Sequence, residues 1–155
     1  MSLHRWLRLR RLWLVRQRLL AGTPSVKAAA LAFGFWHLGD FAIRRTAAEM
    51  AALLQALPGR KHLVAGNNDG PATRVLPEWS SVHDYAEIEC DGAKLVLCHY
   101  PFRTWNGMYK GALNLHGHSH GQLKPLLRQI DVGVDVWYFR PVTLAQLRVK
   151  LRIAA

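Results

Sequence analysis

The segment Asn114-Leu-His-Gly-His-Ser-His-Gly121 places three imidazoles within five positions. His118 and His120 sit two apart. On an extended strand, residues i and i+2 project to the same face; on a helix they diverge by about 200°. Two imidazoles on one face after a glycine have the spacing of a metal site. Three further candidate ligands close short apolar runs: Asp40 after Gly39, Asn67 after Gly66, and His99 after Leu95-Val-Leu-Cys98. A glycine beside a ligand leaves room for close backbone approach. A carboxylate, an amide oxygen and imidazoles suit a divalent ion such as Mn, Fe or Zn. Taken singly, Asp40 and Asn67 read as turn residues and His99 as a satisfied core histidine. Their order along the chain is what gives them weight.

These residues need strands to carry them, because open α/β sheets bind ligands beyond the carboxyl ends of their strands. Ala30 to Leu38 reads as a buried strand. Thr46-Ala-Ala-Glu49 is a capping box; it opens an Ala/Leu-rich helix over 47–57 that Pro58-Gly59 stops. His62 to Ala65 reads as a second strand. Strand, helix, strand predicts a βαβ unit with parallel strands and a right-handed crossover. Tyr85 to Cys90, then Asp91-Gly92, then Ala93 to His99 predicts a hairpin with a type I′ turn. Gln129 to Trp137 alternates as a strand, and Thr143 to Leu151 reads as a closing helix.

The chain has 155 residues and a net charge of +11, enough length for one domain with a real core. No apolar run is long enough to cross a bilayer. Cys90 and Cys98 are too few for a disulfide framework, so a reduced, cytoplasmic setting is the default. The basic surplus sits at the start, which suggests two parts: a basic extension over 1–28 and a domain over 29–155. His4 to Leu20 is helical by propensity. It reads as a membrane-surface or anionic-polymer helix, an organellar targeting peptide, or a tolerated extension.

Gly39-Asp40, Gly66-Asn67-Asn68-Asp69, His99 and Gly117-His118-Ser119-His120, in that order, resemble the motifs of the calcineurin-like metallophosphoesterases. The resemblance covers residues 33–143. It implies a four-layer α/β sandwich, two mixed sheets flanked by helices, in which two metal ions hydrolyse phosphate esters through an activated water. Carried over by position, Asp40 bridges both metals, Asn67, His99 and His118 complete one site, and His120 binds the other. Asp69 orients the loop. Arg103 and Lys110 are candidates to contact substrate phosphate, with Trp105 stacking on a base or an apolar leaving group. The implied substrate is a phosphorylated small molecule or a nucleotide.

Two departures stand out. Asn68 occupies the position where the family has the histidine that protonates the leaving group. An amide does not titrate, which leaves Asn68 to donate a hydrogen bond to a phosphoryl oxygen and makes His37 and His116 candidates for the acid. The family's opening Asp-x-His is also absent: no Asp or Glu precedes Asp40, and His4 is the only histidine before His37. The sandwich is therefore expected to lack its first strand, with an altered start in its place. One metal site keeps four ligands and the other two, so the cofactor count expected here is one ion where the family has two. The alternatives are an impaired pseudoenzyme or metal-binding module of the same family, or a basic nucleic-acid or membrane-surface binder acting through residues 1–28.

Overall fold

Seven strands fall into two sheets in the computed structural model, which describes residues 34–124 and 126–153. The first sheet is parallel, with order β1 (Phe35–His37), β2 (Lys61–Val64), β3 (Ser81–His83). The second holds β4 (Tyr85–Cys90), β5 (Ala93–Cys98), β6 (Leu113–His116) and β7 (Gln129–Asp131) in that order. Its β4–β5 pair is antiparallel and the other two pairs are parallel. Among the described residues three α-helices accompany them: α1 (Ala47–Gln55), α2 (Pro71–Arg74) and α3 (Leu144–Ile153).

The local signals act as their chemistry requires. The Thr46 hydroxyl accepts the Glu49 N–H, while Glu49 accepts the Thr46 N–H at 2.9 Å, so α1 starts at its capping box. Asp91 and Gly92 both take positive φ, 47° and 72°, and close the β4–β5 hairpin. Thr143 and Gln146 cap α3 in the same reciprocal way.

Strand alternation sets the packing. Leu63 of β2 faces Met50 and Leu54 of α1, together with Phe41 and Trp79. Its neighbour Val64 points the other way, onto Leu95, Leu97, Leu113, Leu115 and Ile130 of the second sheet and Leu147 of α3. One face of the first sheet is thus covered by α1, and its other face meets the second sheet.

The helix-flanked four-layer sandwich is not what forms. Among the described residues the far face of the second sheet carries no helical layer: Val96 packs there on Trp105 and Ala112 of the 100–112 loop, which contains a single 3-10 turn, Met108–Lys110. Pro101, together with Gly107 and Gly111 at φ 73° and 92°, prevents that stretch from forming an α-helix. The described residues are rich in short strands and poor in helix. The Gln129–Trp137 strand is also shorter than its alternation suggests. It ends at Asp131, and Val134–Trp137 is a 3-10 turn, because Asp131 turns back to accept the Gly133 N–H at 2.8 Å. The strands β3 and the short helix α2 have no clear sequence signal. The basic stretch 1–28, His4, and residues 30–33 of the first expected strand lie outside the described residues.

Candidate metal centre at the strand ends

β1, β2, β5 and β6 each deliver a candidate ligand at or just beyond its carboxyl end. The loops bearing them interlock through two glycines. A Cβ on Gly39 (φ 89°) would collide with His99 Nδ1 and would lie 2.7 Å from the Gly66 backbone. A Cβ on Gly66 would collide with the Asp40 carboxylate. Only glycine lets these backbones meet. Asp40, His118 and His120 themselves adopt left-handed φ values of 59°, 59° and 49°. Such positions cost about 1–3 kcal/mol each and concentrate at functional sites.

Buried Asp69 ties the loops together. Its carboxylate accepts N–H groups from Asp40 at 2.7 Å, Phe41 at 2.8 Å and Gly66 at 2.8 Å. Asn68 holds the Asp40 carboxylate from outside, its backbone N–H donating to Oδ1 at 3.0 Å and its side-chain amide to Oδ2 at 2.8 Å. In this arrangement Asn68 positions Asp40.

His99, 2 % exposed, sits at the centre. Its Nδ1–H donates to the Leu38 carbonyl at 2.8 Å. A carbonyl only accepts, so this bond fixes the tautomer. The lone pair on Nε2 then faces Asn67 Oδ1 at 3.0 Å and Asp40 Oδ1 at 3.6 Å. With the ring neutral, three acceptors meet there. The His118 ring lies edge-on to His99, 5.0 Å between centroids, and 4.6 Å from the Tyr100 ring. The structure thus brings together Asp40, Asn67, Asn68, Asp69, His99 and His118.

His120 is held differently. Its Nδ1 pairs with the Asp135 carboxylate and its side chain is 63 % exposed. His120 lines the same cavity as Asp40, His99 and His118. Among the described residues no three His, Cys, Asp or Glu side chains converge as a ready-made cluster; the third donor beside Asp40 and His99 is the amide of Asn67.

Asp131 and Asp135 are contributors that sequence reasoning missed. Asp131 accepts from the Ser119 hydroxyl at 2.8 Å and the Gly121 N–H at 2.9 Å, and so shapes the His118–His120 turn. Their four-residue spacing was visible, but reading 129–137 as one strand hid it. Of the proposed acids, His116 is buried and donates from Nδ1 to the Gly117 carbonyl. His37 is enclosed with Nδ1 unpartnered, and burial pushes its pKa below the ordinary value, against the pull of Asp69 and Asp40.

Beyond Tyr100, whose ring lies against His99 and His118, the 100–112 loop supplies none of the residues expected at this centre. Trp105 is a core residue whose Nε1–H donates to the Ala112 carbonyl at 2.9 Å, so it is buried away from any ligand it was expected to stack on. Arg103 and Lys110 are exposed and neither lines the cavity. No described helix is long and apolar enough to cross a membrane.

Fold and site together define a strand-rich two-sheet domain whose strand ends gather a carboxylate, an amide and imidazoles. No protein-family model matches the chain. It is similar to the Gene 66 protein of Mycobacterium phage D29, 32% identical over 136 residues, covering 66% of this chain and 67% of the phage protein. The Gene 66 protein of Mycobacterium phage L5 is 27% identical over 138 residues, covering 66% of this chain and 65% of that protein. The chain belongs to the family of these phage Gene 66 proteins, and it spans about two thirds of their length. The fold is shared with a crystal structure of a protein of unknown function from Aquifex aeolicus. There the TM-score is 0.60 at 22% identity, covering 90% of this chain and 84% of the other.

Proposed function

We propose that the chain is a metal-dependent phosphoesterase of the calcineurin-like type, holding one divalent ion, with manganese the first choice. The observation that carries the reading is the meeting of His99 Nε2, Asn67 Oδ1 and Asp40 Oδ1, which holds no donor when the imidazole is neutral. A cation relieves that arrangement, and one imidazole nitrogen with two oxygens suits Mn, Fe or Zn. His99 arrives with its tautomer set by a backbone carbonyl, as metal-bound histidines commonly do. Asp40, Asn67, His99 and His118 would hold the ion.

When bound, such an ion polarises a phosphoryl oxygen and acidifies water. The chain's own residues orient the rest. Asn68 keeps the Asp40 carboxylate turned inward, Asp69 keeps the two glycine loops in register, and the His120–Asp135 pair borders the same cavity. The proposed substrate is a phosphorylated small molecule, and the proposed setting is cytoplasmic.

A second reading, a metal-binding protein with little turnover, draws on Asn68, which has no proton to give a leaving group, and on His120, which is turned to Asp135. Manganese titration by calorimetry, paired with hydrolysis of 4-nitrophenyl phosphate, separates the two. The phosphoesterase reading expects manganese-stimulated release of nitrophenol that is lost in Asp40→Ala and His118→Ala. Binding without release supports the second reading, and absence of both removes the metal centre altogether.

A further inference from the structure

We propose that Tyr100 sets the specificity of this site, its ring serving as the platform for the organic group of the ester, so that planar aromatic groups are favoured over aliphatic ones. The inference rests on the phosphoesterase reading. The centre is closed on one side and open on the other. His99 and Asp69 are buried, whereas Asn67, Asn68 and His118 are exposed. A ligand that reaches Asp40, Asn67 and His99 from the open side passes those three side chains. Tyr100 stands with them. It follows His99 directly in the chain, and its ring centroid lies 4.6 Å from that of His118 and 5.0 Å from that of His99. It is nonetheless 44 % exposed, so part of the ring is left to contact something else.

The other aromatics near the centre are already committed. Phe41 and Trp79 pack in the core beneath the first sheet, and Trp105 packs on Val96. The Trp36 ring stacks on His62 at 4.6 Å and on His83 at 5.7 Å. Tyr109 is exposed, but it belongs to the 3-10 turn on the far face of the second sheet. On the opposite flank of Asp40, the Asn68 amide is held by the carboxylate at 2.8 Å. An organic group extending from a phosphate at these donors therefore finds the Tyr100 ring beside the ligand imidazoles. Aromatic pairs gain from offset or edge-on contact beyond the area they bury, so the ring distinguishes a flat partner from an aliphatic one of equal bulk. A nucleobase and a simple aryl group share that chemistry.

The test titrates the full chain, loaded with manganese, by calorimetry with phenylphosphonate and cyclohexylphosphonate, two ligands of similar size. The phenyl compound is expected to bind about 2–10-fold tighter. Both carry the same phosphonate group, so their ratio is insensitive to how firmly the ion is held. Tyr100→Phe should keep the ratio and Tyr100→Leu should bring it to about one. Adenosine 5′-monophosphate and ribose 5-phosphate, titrated in the same way, separate the two sources: a preference for the nucleotide assigns a nucleobase, and a preference confined to phenylphosphonate assigns an aryl ester. Equal affinity for the two phosphonates, or a ratio unchanged in Tyr100→Leu, overturns the inference and leaves the phosphoesterase reading standing. Loss of manganese binding in Tyr100→Leu also overturns it, since Tyr100 would then be a support for His118. Failure of both phosphonates to bind the manganese-loaded protein removes the phosphoesterase reading and this inference with it.

Discussion

Asp69 and Asp40 lie 29 residues apart, yet the Asp69 carboxylate accepts the backbone N–H of Asp40 at 2.7 Å. The same carboxylate takes the Phe41 and Gly66 amides. One buried side chain therefore fixes the distance between the loops that follow β1 and β2, and Asp40 and Asn67 come within reach of His99 as a result. Orphaned buried amides cost about 1–3 kcal/mol each. Asp69→Ala strands three of them, so unfolding in urea should show a loss of roughly 3–5 kcal/mol. A loss below about 1 kcal/mol would mean that the glycine contacts alone hold the loops.

Asn68 makes a complementary claim on Asp40 from the exposed side. Residues that orient a metal ligand typically influence affinity by about 10–100-fold. Asn68→Ala removes one of two bonds and leaves the backbone N–H in place, so manganese affinity should fall by about 10-fold, at the low end of that range. Unfolding in urea should move little. Unchanged affinity by calorimetry would show that Asp40 needs no such brace.

Much of this arrangement was legible in the chain because it rests on local chemistry. The capping box at Thr46, the Asp91-Gly92 turn and the parallel βαβ unit each follow from a few adjacent residues, and each is present. The candidate ligands Asp40, Asn67 and His118 were legible as strand ends preceded by glycine, and His99 as the end of an apolar run. What stayed hidden depends on contacts distant in sequence. Trp105 reads as a loop aromatic until Val96 is seen beneath it. The turn at Gly133 is imposed by the Asp131 carboxylate and converts the end of an alternating run into a 3-10 turn. The layer expected over the second sheet depended on resemblance alone, and the glycines of the 100–112 loop override it.

The hairpin next to that loop provides a pH signature. Lys94, Tyr85 and Asn106 all contact the Glu87 carboxylate and lower its pKa from 4.5 to about 2, with Lys94 the largest cause. The folded form therefore favours ionised Glu87. Its contribution is present above pH 4.5 and is lost as pH falls through about 2. Burial first, and Glu87 second, push Tyr85 up to about 12, so its contribution persists below pH 10 and is lost as pH rises through about 12. Urea midpoints of Glu87→Gln should lose the acid limb of this dependence and shorten the alkaline one. Identical profiles for wild type and variant would remove both contributions.

The last comparison turns on His120, which the family resemblance makes a metal ligand and the structure pairs with Asp135. His99 is buried and within 3.6 Å of Asp40, whereas His120 is largely exposed. Removing a true ligand from a site of four deletes one of the donor atoms that hold the ion, while removing a bordering imidazole deletes none. His99→Ala should therefore abolish manganese binding at concentrations where wild type saturates, and His120→Ala should weaken it by less than about threefold, well short of the tenfold floor for residues that orient ligands. Asp135→Asn sharpens the contrast. If the pairing keeps His120 away from the ion, loosening it should leave affinity unchanged or raise it through a newly available imidazole. A loss in Asp135→Asn as large as that in His99→Ala would mean that His120 reaches the ion with Asp135 behind it, and the centre would then hold a fifth ligand.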